Sequence, residues 1–138
     1  EKPYYEYRIL NHWDNLDDTV ERGYAGLSMW EWTAKEIPTE RIHHYGELCA
    51  SVGLNGAVLN NVNANPLILD KEHIERVAQI ANILREYGIT TYLSIKWTSP
   101  VTLDGLKSGD PLDPKVRQWW KNKAAEIYTA IPISAAFS

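Results

Sequence analysis

The chain has 138 residues, 44% of them hydrophobic and 23% charged, proportions that suit a soluble globular piece with one core and exclude a disordered tail. Eighteen acidic and fourteen basic residues leave a formal charge of −4, which argues against a phosphate backbone or an anionic membrane as the dominant partner. No run of about 18 apolar residues exists, and Glu1-Lys2-Pro3-Tyr4-Tyr5 lacks the basic-then-apolar pattern of a secretory leader. Six Trp and eight Tyr stand against one Phe, so nearly every ring carries a polar handle of the kind found on wet binding surfaces. The single Cys49 allows no internal disulfide, which fits a reducing compartment.

The first predicted strand runs from Tyr4 to Trp13, with β-prone Tyr7, Ile9 and Leu10, and ends in His12-Trp13-Asp14-Asn15. A helix follows, capped by Thr39 and running through Val52, with Ile42, Tyr45, Cys49 and Val52 on one stripe and Gly53 as its stop. Gly56 to Leu59 is the second strand and runs into Asn60-Asn61-Val62-Asn63-Ala64. The second helix opens on an Asp70 cap and extends to about Tyr87; Ile74, Val77, Ala78, Ala81 and Leu84 form its apolar stripe, and Gly88 ends it. Ile89 to Ile95 is the third strand and leads into Lys96-Trp97-Thr98-Ser99-Pro100. Asp104 to Pro114 reads as a loop. The third helix opens with Asp113 as cap and Pro114 at its first position, then carries Val116, Trp119, Trp120, Ala124, Ile127 and Tyr128 before Pro132.

Helix, glycine, apolar strand and polar cluster recur: Gly53 and Gly88 lie 35 residues apart, the length of one βα unit. The expectation is an α/β chain with a parallel sheet, doubly wound or closed into a barrel, a single segment over residues 1–138 with no second domain.

In such folds ligands bind where the strands reach their carboxyl edge, and all three clusters fall there. Trp13 offers an aromatic face, Asp14 and Asn15 acceptors and donors, and Asn60, Asn61 and Asn63 amides with both functions. A polyhydroxylated ligand needs this mixture. The same residues would also serve to cap helices and shape turns. Asp14, Asp17, Asp18 and Glu21 concentrate carboxylates of the type a glycosidase pairs as acid and base or nucleophile, although a solvated turn would use them equally well. His12, His43, His44 and His73 have no metal-ligand spacing, no phosphate- or dinucleotide-binding glycine motif is present, and Cys49 has no activating neighbour on its helix face. Arg22 beside Gly23 and Gly26 could bind a carboxylate through its planar fork or form an ordinary ion pair.

Asn11-His12-Trp13-Asp14-Asn15-Leu16-Asp17, followed by Glu21-Arg22-Gly23-Tyr24-Ala25-Gly26, resembles the start of the catalytic barrel of family 67 glycoside hydrolases, the α-glucuronidases. Val58-Leu59-Asn60-Asn61-Val62-Asn63-Ala64, Arg85-Glu86-Tyr87-Gly88-Ile89, and Asp110-Pro111-Leu112-Asp113-Pro114 with Trp119-Trp120-Lys121 match in the same order. The resemblance extends from Tyr7 to Pro132. It implies part of a (β/α)₈ barrel, about its first three βα units, and inverting hydrolysis of the α-1,2 bond between (4-O-methyl)glucuronic acid and the terminal xylose of xylo-oligosaccharides. No metal or organic cofactor is implied. Trp13 would be a wall of the uronate pocket and Val62 an apolar neighbour of the O4 substituent, while Asp14, Asn15, Asn60, Asn61 and Asn63 match the motifs as sugar contacts or loop braces.

Two departures from the family pattern stand out. After Ile131-Pro132 the Gly- and Phe-containing fourth strand with its Lys and general-acid Glu is not matched by Ile133-Ser134-Ala135-Ala136-Phe137-Ser138. Lys96-Trp97-Thr98 replaces apolar residues at the end of the third strand. The expectation is a glucuronoxylan-oligosaccharide-binding fragment without catalytic carboxylates, with an open three-strand sheet prone to self-association. The alternative is a non-catalytic carbohydrate-binding or scaffold module. A complete small enzyme working through Asp14 and Glu21 is a third reading.

Overall fold

The computed structural model describes residues 2–21, 26–131 and 135–137. Arg22, Gly23, Tyr24, Ala25 and Pro132, on which parts of the expectations above fall, lie outside the described residues. The elements run β1 (Ile9–Asn11), α1 (Thr39–Ser51), β2 (Gly56–Val58), a 3₁₀ turn (Pro66–Leu69), α2 (Lys71–Arg85), β3 (Thr90–Leu93), α3 (Ser99–Asp104), α4 (Pro114–Ala130) and β4 (Ala135–Phe137). All neighbouring strands are parallel in the order β1-β2-β3-β4. The α/β class and the parallel sheet agree with the sequence pattern.

Several details differ. The sheet has a fourth strand where three were expected, because Ala135–Phe137 pairs with Thr91–Leu93 and offers backbone groups for the ladder regardless of the missing family motif. Strands β1 and β3 are shorter than their β-prone runs. Tyr4, Tyr5 and Tyr7 are exposed, and where no strand among the described residues pairs with them, propensity alone does not make strand. Pro38, not Thr39, caps α1, and its side chain makes no capping bond; the Thr39 hydroxyl turns back to the carbonyl of Ile37. Val52 lies beyond the helix end and is exposed, as is Tyr128 on α4. The cluster after β3 continues into α3, a single short helix that ends on Gly105 in the left-handed region at φ 65°.

The stronger helix signals hold. Asp70 accepts hydrogen bonds from the backbone N–H of His73 (2.8 Å) and from its ring Nδ1 (2.8 Å), and Asp113 accepts from Lys115 N (2.8 Å) with Pro114 at the first helical position. Gly88 adopts φ 73° after α2, a conformation that would strain any residue with a Cβ.

Ile74, Val77, Ile80, Ala81 and Leu84 of α2, Ile42 and Cys49 of α1 and Ile127 of α4 share one core cluster with Ala57 of β2 and Leu93 of β3, and Val116 of α4 is also buried. Helix α1 packs on α2 and α2 on α4. Gly46 lets α1 approach the loop after α2: a Cβ there would lie 2.3 Å from Cδ2 of the Tyr87 ring. The sheet interior is small. Gly56 leaves room for Ile9 and Tyr92 to lean over it from the neighbouring strands.

Asp70→Ala removes the α2 cap and is expected to lower unfolding stability by about 1 kcal/mol, read as a lower urea midpoint at unchanged slope.

Candidate functional site

Parallel pairing sets the polar clusters that follow β1, β2 and β3 on one sheet edge, and backbone bonds carry the ladder past the strand ends. His12 N donates to Val58 O (3.0 Å), Leu59 N to Tyr92 O (3.1 Å) and Asn61 N to Asp14 O (2.8 Å). Asn60 extends the β2–β3 pairing with its side chain. Its Oδ1 accepts from Ser94 N (2.8 Å) and its Nδ2 donates to Ser94 O (3.0 Å), so both amide functions are engaged and the residue is buried.

Asn61 works toward the other neighbour. Its Nδ2 donates to Asn15 Oδ1 (2.9 Å) and to Glu21 Oε2, while its Oδ1 accepts from Asn63 N (2.9 Å). Asn63 Nδ2 also reaches both Glu21 oxygens, at 3.2 and 3.3 Å. Glu21 is thus a carboxylate held by two amides, joining the loops after β1 and β2. A short antiparallel bridge between Asp14 and Val20 and a bond from Glu21 N to Trp13 O (3.0 Å) fold the β1 loop back on itself. Trp13, in that loop, is half-buried. Val62 is exposed.

The remaining carboxylates hold hydroxyl and backbone donors. Asp14 is buried and accepts from Ser28 Oγ (2.6 Å). Asp17 accepts from the hydroxyl (2.6 Å) and N–H (3.0 Å) of Thr19, and that hydroxyl, then the N–H, hold its pKa below the ordinary value. Asp18 sits at φ 70° and accepts from Trp32 N (2.6 Å) and Thr33 N (3.0 Å). The structure therefore brings Asn15, Asn61, Asn63 and Glu21 together, buries Asp14 against Ser28, and turns Asn60 toward β3. The sequence reading weighed Glu21 as one carboxylate of an acidic loop and, with Asp14, as a catalytic candidate, never as a partner of the Asn cluster. Its spacing from Asn61 carries no signal, since the two meet only through the sheet.

Below this edge lies a packed polar chain. His12 Nε2 shares a 2.7 Å hydrogen bond with the Tyr45 hydroxyl, and Nδ1 stands 3.9 Å from Asp14 Oδ1. The His12 ring meets the fully buried Trp30 edge-on, with centroids 5.2 Å apart. Burial lowers the His12 pKa, and the Asp14 carboxylate opposes that only partly. Burial also raises the pKa of Tyr45 and Cys49, so the Cys49 thiol stays protonated, a poor nucleophile. Among the described residues no cluster of three or more His, Cys, Asp or Glu could hold a metal ion.

A histidine with a folded-state pKa below its unfolded value near 6.5 binds its proton more readily when unfolded. The stability it permits is full above that value and declines as pH falls below it. His12→Phe should flatten this acid-side decline, read from urea midpoints between about pH 5 and 7.5.

The sequence profile of the glycosyl hydrolase family 67 middle domain matches residues 1–138. Among curated relatives, a probable alpha-glucuronidase A of Aspergillus terreus is 42% identical over 136 residues, 98% of this chain and 16% of the relative. Alpha-glucuronidase A of Emericella nidulans is 43% identical over 136 residues, 94% of this chain and 16% of its own length. Alpha-glucuronidase A of Aspergillus tubingensis is 40% identical over 139 residues, 98% of this chain and 16% of its own. The chain thus spans about a sixth of the curated relatives it matches.

Proposed function

The chain belongs to glycosyl hydrolase family 67, within its middle domain, and from that premise we propose that it is part of an α-glucuronidase barrel carrying one wall of the uronate pocket. The substrate is the α-1,2-linked (4-O-methyl)glucuronic acid of glucuronoxylan-derived oligosaccharides, and the bond is hydrolysed with inversion. The whole-chain family match carries this reading, and the strand-end geometry is compatible with it. Trp13 supplies the apolar face for the sugar ring and Val62 the neighbour of its O4 substituent. Asp14, Asn15, Asn60, Asn61 and Asn63 form the contacts and braces around them.

Strand order supports a barrel segment over a doubly wound sheet. A doubly wound sheet reverses its order at a switch point, whereas here the strands follow 1-2-3-4 and each major helix packs on the next. Residues 1–138 form a single segment of that barrel. None of the family's proton-transfer carboxylates matches a position of this sequence, so the 138-residue protein binds substrate without turning it over. The exposed Ile9 and Leu10 of edge strand β1 favour self-association or pairing with further strands.

Titration of the 138-residue protein with an aldouronic oligosaccharide should give saturable binding, weakened by roughly tenfold or more in Trp13→Ala, with no glucuronic acid released. Release of glucuronic acid at a rate abolished by a substitution within the chain would refute the inactive-segment reading.

A further inference from the structure

Trp97 after β3, the loop before α4 and the first half of α4 line an open cleft of about 720 Å³ that the Trp13 cluster does not include. Trp97, Pro111, Pro114, Arg117, Trp120 and Lys121 are among its lining residues. Trp97 is 66% exposed, and its ring meets Trp120 edge to face with centroids 6.1 Å apart. Trp120 in turn packs against Trp119 at 4.8 Å and on the core. This gives the cleft an indole surface anchored at its base and open at its rim.

The cations are arranged around that surface. Arg117 Nε donates to Pro111 O (3.0 Å), which fixes the direction of the guanidinium fork. Neither its terminal nitrogens nor the Lys121 ammonium has a carboxylate partner among the described residues. Asp110 and Asp113, in the preceding loop, each have an oxygen engaged by a backbone N–H, of Leu112 and Lys115. Among the described residues no carboxylate lines the cleft, although the chain as a whole carries a charge of −4.

Charge and shape together narrow the occupant. A bare phosphate would satisfy the cations and leave the indole face unused. A neutral sugar would use the ring and leave two cations unpaired. A ring bearing a carboxylate uses both, with the planar Arg fork suited to bidentate contact. We infer that this cleft is a second saccharide-binding site, selective for a uronate-bearing sugar and separate from the Trp13 wall. The choice of a uronate among carboxylate-bearing rings rests on the function proposed above. Both walls of the cleft lie at the carboxyl edge, since α4 begins there before running back to β4, so one acidic polysaccharide chain could be held beside the pocket that acts on it.

The test follows Trp indole N–H signals by NMR in the 138-residue protein, titrated separately with an aldouronic oligosaccharide, the matching neutral xylo-oligosaccharide and inorganic phosphate. The aldouronic ligand should shift the Trp97 and Trp120 signals saturably. Trp97→Ala and Lys121→Ala, both at exposed positions, should each weaken that response by about tenfold while the Trp13 response persists. A Trp13 response with silent Trp97 and Trp120 would overturn the cleft assignment and leave the uronate-wall reading standing; silence at all three would overturn both. Equal affinity for the neutral oligosaccharide or for phosphate would overturn the uronate selectivity. Shifts that disappear on dilution, with a matching change in sedimentation, would assign the cleft to a second copy of the chain instead.

Discussion

Two consecutive side-chain amides hold the carboxyl edge of this sheet together. Asn60 turns toward β3 and imitates one more residue of ladder with Ser94, while Asn61 turns toward the β1 loop and reaches Asn15 and Glu21. Adjacent residues on an extended segment point to opposite sides, so a single Asn-Asn step ties three strand ends with no added chain. Buried polar groups are costly unless satisfied. Because Asn60 and Asn61 find partners on both sides, the edge is polar and ordered at once.

This arrangement changes the meaning of the acidic loop. Asp14, Asp17 and Asp18 hold backbone and hydroxyl donors, and Glu21 holds amides. Carboxylates committed in this way fix loop shape.

Much of the fold was legible because local chemistry and tertiary demand coincided. Asp70 and Gly88 bracket α2 with a cap and a left-handed stop, and Asp113-Pro114 opens α4. Reading failed where tertiary context decided. The β-prone residues before Ile9 find no strand partner among the described residues, Thr39 lies one residue inside its helix, and Ala135–Phe137 becomes a strand by pairing with β3. The strand-end rule set the clusters on one sheet edge, as the parallel pairing has them. It could not divide labour between Asn60 and Asn61, or bring Glu21 to Asn63 across 42 residues, since those roles depend on which neighbour each side chain faces.

The claim that Asn61 and Glu21 lock the edge into one unit is tested most directly by a double-mutant cycle of Asn61→Ala and Glu21→Ala, measured by urea unfolding. The account predicts a coupling of about 1–3 kcal/mol. Additivity of the two substitutions to within about 0.3 kcal/mol would contradict it.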